Sequence, residues 1–198
     1  MKHYVITIAR QFGSLGRPIA RQLSEILGVD FYDRDIVEAT SQKTGLSVST
    51  ISDKEESARN SFWYMGYPLG MGKDNEQDKI FKNQVKIIRE LAEKQSCIIV
   101  GRCSDYILQN RDDAMHVFIY APYESRMKNC TEDLGMTYEE ARKMITKVDK
   151  ARDTYHKTYA GFLPGDYRHK DFMIDSSLLG VEGTAAAIAE IARKRFGL

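Results

Sequence analysis

Short apolar runs alternate along this chain with longer segments whose apolar residues recur every three to four positions. These are the periods of buried strands and amphipathic helices. The run Val5-Ile6-Thr7-Ile8 is β-branched and predicts a first strand. A polar turn holding Gly13, Ser14 and Gly16 leads from it into a helical pattern with Ile19, Ala20, Leu23 and Leu27 on one face. Gly28 reads as its C-cap, and residues 29–32 as a second strand. Asp35-x-x-Glu38 predicts a helix to about Lys43, and Ser52-x-x-Glu55 a short polar one. Asp74-x-x-Gln77 opens a long helix ending near Lys94, with Phe81, Val85, Ile88 and Ala92 on its apolar face. Cys97–Val100 is apolar throughout, as a strand covered on both faces requires. A helical stretch over 104–108 and a strand over 115–121, stopped by Pro122, come next. Helices are predicted over 123–134 and, behind the capping box Thr137-x-x-Glu140, over 138–157. A strand over 171–175 and a helix over 180–196 close the chain.

Strands alternating with helices imply an α/β fold, a doubly wound five-stranded parallel sheet with helices on both sides. At 198 residues, with no internal repeat or linker, the chain is expected to form a single domain spanning 1–198. Residues 60–73 carry three glycines, a proline and four aromatics with no regular period. They read as a loop, either tucked onto the core or closing over a substrate.

Composition narrows the function. An apolar fraction of 42% and a charged fraction of 29% are ordinary for a globular protein, and the formal net charge is only +1. No overall basic footprint invites nucleic acid, so any anion site must be local. Apolar runs are too short to span a membrane, and the first strand begins too early for a signal peptide. Cys97, Cys103 and Cys130 are odd in number and lack metal-binding spacing, which fits reduced thiols in a cytoplasmic enzyme. The four histidines are scattered, so no metal cluster is expected.

In parallel α/β sheets ligands bind beyond the carboxyl ends of the strands. Those ends carry Arg10, Gly13, Ser14, Gly16 and Arg17 after the first strand and Asp33 and Arg34 after the second. Arg102 and Asp105 follow the third strand; Glu124 and Arg126 follow the fourth. A strand, a Gly-rich loop and a helix in succession aim backbone N–H groups and a helix dipole at one point, which suits phosphate. Arginines converging with carboxylates suit phosphate groups together with magnesium or an oriented hydroxyl. On the 138–157 helix, Asp149, Arg152, Asp153 and His156 share a face. That stripe is either a solvated ion-paired surface or a lid that brings Arg152 and Arg126 onto phosphates.

ITIARQFGSLGR, FYDRDI, IIVGRCSDYIL, VFIYAPYESRM and KVDKARDTYHKTYAG, in that order, resemble segments of the cytidylate kinase-like proteins of the P-loop nucleoside-monophosphate kinase superfamily. The resemblance implies strand order 2-3-1-4-5, an acceptor-binding helical insert over 34–95 and a lid over 123–168. It implies a kinase that moves the γ-phosphate of ATP, with Mg2+, to a nucleoside monophosphate such as CMP. By that likeness Gly13, Ser14, Leu15, Gly16 and Arg17 hold the donor phosphates. Arg17, Arg126 and Arg152 act in catalysis, while Asp33, Arg34, Arg102 and Asp105 bind the acceptor. A second copy of the chain is the one macromolecular partner left open. A Walker A loop reads G-x-x-x-x-G-K-[ST]. Here Gln11 holds the first Gly position, Arg17 the Lys position and Pro18 the hydroxyl position, and Cys103 follows Gly-Arg where cytidylate kinases have Asp. A nucleotide-sensing protein without catalysis is therefore the alternative.

Overall fold

The computed structural model describes residues 3–33 and 74–198. Five strands form one sheet: β1 (Val5–Arg10), β2 (Asp30–Tyr32), β3 (Cys97–Val100), β4 (Ala114–Tyr120) and β5 (Phe172–Asp175). Its order is β2-β3-β1-β4-β5 and every pairing is parallel, as expected. β1 is central, with Ile8 beside Val100 on one side and Val117 on the other. Its run of β-branched residues is apolar because both faces are covered.

The described helices are α1 (Gly16–Leu27), α2 (Asp74–Lys94), α3 (Ser104–Ile107), α4 (Tyr123–Glu132), α5 (Tyr138–Ala160) and α6 (Gly180–Phe196). One face of the sheet buries Ile6, Ile8, Ile98 and Val117 against Ile19 and Leu23 of α1 and Ile188 and Ala192 of α6. The other buries Val5, Cys97 and Ile99 against Ile88 and Ala92 of α2. A third cluster joins Phe12, just after β1, to Met127 and Cys130 of α4 and Ala141, Ile145 and Val148 of α5. This last core ties the Gly-rich turn to the helices that follow β4.

α5 starts with the expected capping box: the Thr137 hydroxyl accepts from the Glu140 N–H, and Glu140 accepts from the Thr137 N–H at 2.9 Å. It runs about one turn further than its pattern predicts, to Ala160, and the extra turn carries Tyr159, which stacks on Phe81 of α2 at 4.0 Å, while Tyr155 donates to Gln84 of α2 at 2.7 Å. The three cysteines are buried and free, and burial pushes the Cys130 thiol up to about 11. No helix among the described residues is long and apolar enough to cross a membrane. The loop 60–73, the two helices expected between 35 and 55, and Arg34 lie outside the described residues.

Candidate active site

The Gly-rich turn leaves β1 where Gly13 adopts φ 77° and Leu15 the left-handed φ of 55° that sets the first turn of α1. Glycine is required at two points. A Cβ on Gly13 would stand 2.9 Å from the Arg126 carbonyl, and one on Gly16 would stand 2.8 Å from the Arg10 Cβ. Ser14 is fully buried, and its hydroxyl donates to the Gln11 carbonyl at 2.9 Å. Ser14 is therefore a brace for the turn. Among the described residues the backbone N–H groups of Gly13, Ser14, Leu15, Gly16 and Arg17 find no protein acceptor. They are the orphan donors of a helix N-terminus, gathered around one small cleft.

Beside the turn the side chains carry a surplus of positive charge. Asp33, nearly buried after β2, meets Arg10 at 3.7 Å and Arg17 at 3.3 Å. Arg152 reaches in from α5 and donates to the Arg10 carbonyl at 3.0 Å. The charge of Arg102 falls on both Arg10 and Arg152. Burial, with the neighbouring charge of Arg10, pushes the Arg152 guanidinium down to about 9, although Asp149 and Asp33 pull it back. Burial lowers Arg10 in the same way. Among the described residues, four guanidinium groups thus gather near Asp33, and Asp149 also acts on Arg152.

The expected polar stripe of α5 points inward, so the solvated-surface reading fails. Asp149 accepts from the Phe12 N–H at 2.7 Å and pairs with Arg126. Arg126, which also donates to the Phe12 carbonyl at 3.2 Å, sits one step behind the cluster and fixes the start of the turn. His156 places Nδ1 against the Phe162 carbonyl at 2.8 Å and Nε2 against Asp105 at 2.9 Å. The ring is thus held between a backbone carbonyl and a carboxylate. Lys170, its side chain fully buried, pairs with the other Asp105 oxygen. Burial alone would raise the Asp105 carboxyl, but His156 and Lys170 outweigh it and hold it well below the usual carboxylate range.

The structure therefore brings together the turn 13–17, Asp33, Arg102 and Arg152. Asp105 belongs to a separate buried cluster, and Glu124 is exposed on α4. Arg10 and Asp149 were legible only as a strand-end arginine and a helix-face carboxylate. Their roles depend on α5 crossing the end of β1.

Residues 5–178 match the cytidylate kinase-like family. The chain belongs to that family. The cytidylate kinase-like chain is thus a kinase that works with a nucleotide. No curated protein sequence matches it. An uncharacterized protein from Eubacterium ventriosum, solved as a crystal structure, is similar at 26% identity and TM-score 0.69, covering 99% of this chain and 100% of that one. Shikimate kinase from Acinetobacter baumannii, solved with shikimate, shares the fold at 16% identity and TM-score 0.52, covering 98% and 94%. A gluconokinase from Sinorhizobium meliloti does so at 12% identity and TM-score 0.52, covering 99% and 92%.

Two left-handed residues in succession, Arg102 at φ 58° and Cys103 at φ 53°, follow the left-handed Gly101. Such strain in non-glycine residues costs of order 1–3 kcal/mol each and persists where a site demands it. The turn presents Arg102 to the cluster while burying the Cys103 thiol, whose pKa burial raises.

Proposed function

We propose that the protein passes the γ-phosphate of ATP to a small acceptor that carries its own phosphate, a nucleoside monophosphate such as CMP. The observation that carries this reading is the surplus of guanidinium groups around Asp33, beside five backbone N–H groups that have no acceptor among the described residues. Buried charge without a counterion is unfavourable, and phosphate groups on two substrates would supply the counterions.

In this reading the turn 13–17 holds the donor phosphates through its N–H groups and Arg17. Arg10, Arg102 and Arg152 surround the transferring group and the acceptor phosphate. An acceptor phosphate oxygen attacks the γ-phosphorus, the bond to the β,γ-bridging oxygen breaks, and ADP leaves with its electron pair. An ionised phosphate needs no strong base, so positioning and charge neutralisation carry the reaction. Arg126 acts through Asp149, holding the turn; Asp105 positions the Arg102 turn through its own cluster. Residues 123–168 form the lid in this scheme, and 34–95, with Arg34, the acceptor side.

Magnesium fits only as an ion carried by the nucleotide. Asp33 is the one carboxylate lining the cleft among the described residues, and it already faces two arginines. Asp33 would help hold such an ion, which would supply charge neutralisation to the phosphates.

A coupled assay with ATP and a panel of monophosphates tests the proposal: turnover with at least one is expected, and tight ATP binding with no turnover sinks it. Pro18 at the hydroxyl position favours one rival, a nucleotide sensor. Calorimetry separates the two, since magnesium-independent ATP binding without hydrolysis is the sensor's signature.

A further inference from the structure

A hollow of about 650 Å3 opens off the arginine cluster, and Arg10, Gln11 and Arg152 line both it and the phosphate cleft. Gln11 is the uncharged member of that trio. It stands where a Walker A loop has its first glycine, so this chain brings a carboxamide to a place that otherwise offers backbone alone.

Hydrogen bonds fix Gln11 at every group but one. Its N–H donates to the Ile119 carbonyl at 3.0 Å, and its carbonyl accepts from the Ser14 hydroxyl at 2.9 Å. Its side-chain Oε1 accepts from the Ala121 N–H, just past β4, at 3.2 Å. That last bond decides which way the amide faces. A backbone N–H can only donate, so Oε1 is the atom turned to Ala121 and the Nε2 amino group is turned away. Nε2 has no acceptor among the described residues and is open to solvent. The residue is thus a pinned arm with one free end, and that end is a pair of donors.

Its neighbours explain why a neutral donor suits this point. Burial lowers Arg10 and Arg152, and nearby guanidinium groups lower them further, against the pull of Asp33. A lysine or arginine at position 11 would deepen that repulsion. A carboxylate there would occupy the guanidinium groups that are to meet phosphate. An amide donates to an anion and adds no charge. Arg10 and Arg152 surround the transferring group in the phosphotransferase reading, and Gln11 lies beside both. We propose that Gln11 contacts the substrate, its Nε2 donating to the transferring γ-phosphoryl group while the Ala121 N–H holds the amide in place. The assignment rests on the phosphotransferase reading and adds a neutral donor to its arginines. The rival role is a strut, in which Oε1 serves only to satisfy the Ala121 N–H.

Calorimetry on the intact chain, with Mg2+ and either ATP or ADP, separates the two roles, since ADP lacks the γ-phosphate. Gln11→Met keeps the reach of the side chain and removes the amide. It should weaken ATP about tenfold or more and ADP about twofold or less, the effect of one hydrogen bond to an anion. Gln11→Glu keeps an oxygen for the Ala121 N–H and removes only the donors. It should show at least the same contrast between ATP and ADP, with a Tm no lower than the parent's. A strut would behave otherwise: Gln11→Met would weaken both nucleotides alike, and Gln11→Glu would bind ATP as the parent does. Either of those results, or parental ATP affinity in Gln11→Met, overturns the assignment and leaves the phosphotransferase reading standing. A parent that binds neither nucleotide removes that reading, and the assignment with it.

Discussion

Two buried clusters of charge meet the same end of α5, and they are balanced differently. Around Asp105 the carboxylate meets His156 Nε2 through both oxygens, at 2.9 and 3.0 Å, and Lys170 through one of them, and the second His156 nitrogen meets the Phe162 carbonyl. Around Asp33, among the described residues, Arg10 and Arg17 share its carboxylate, with Arg102 and Arg152 close by, and Arg152 donates to a backbone carbonyl. The first cluster satisfies its own hydrogen bonds and locks three segments: the turn after β3, the end of α5 and the chain entering β5. In the proposed reading, an anion supplies the acceptors that the described residues around the second do not. The Asp105 cluster is the more deeply buried, its side chains 0–6% exposed against 11–34% for Asp33, Arg10 and Arg17, as a structural lock against a proposed binding site requires.

The largest expected effect is on catalysis. Arg152→Met should lower turnover about a thousandfold or more, the scale at which a transition-state arginine acts. The same variant should be as stable as the parent or more so, by about 0.5–2 kcal/mol, because an unrelieved buried charge has been removed. A fall in stability with turnover intact would make Arg152 a structural residue like those around Asp105.

Asp105→Ala should do the reverse, costing about 3–5 kcal/mol in urea unfolding, since Lys170 and His156 would be left buried without a counterion. A midpoint within experimental error of the parent would show that the lock holds nothing. Inorganic phosphate offers a third contrast. At a hundred times its Kd it should stabilise the parent by about 2.7 kcal/mol, read as a rise in Tm. That rise should shrink in Arg10→Met and persist in Asp105→Asn.

The smallest effect is on acid stability. The folded Asp105 carboxyl lies below its ordinary value, so the unfolded chain takes up the proton first as pH falls. The stabilisation is complete above about pH 4, the ordinary carboxylate value, and is lost as pH drops towards the folded value. Urea midpoints between pH 5 and 2.5 should fall less steeply in Asp105→Asn than in the parent.

Much of the fold was legible from pattern. Wholly apolar runs marked the strands, and 3.6-residue periods the helices, to within about three residues at most boundaries. Gly13 and Gly16 also marked the tight turn after β1, since the need for positive φ or close approach is written in the absence of a Cβ. The stripe Asp149-Arg152-Asp153-His156 was visible as a stripe, but spacing cannot say whether a polar face meets water or another element.

The sequence by itself determined the parallel sheet, its order through a family likeness, and the loop that gathers N–H donors. These follow from local propensity, hydrophobic period and short motifs, which act over a few residues. Only the tertiary structure decided which strand-end charges belong together. Asp33 and Arg152 lie over a hundred positions apart, as do Asp149 and Phe12, and Asp105 meets Lys170 across 65. Whether an arginine is paired, half-paired or surplus depends on the acceptors within about 4 Å in space, and chain order does not contain that distance.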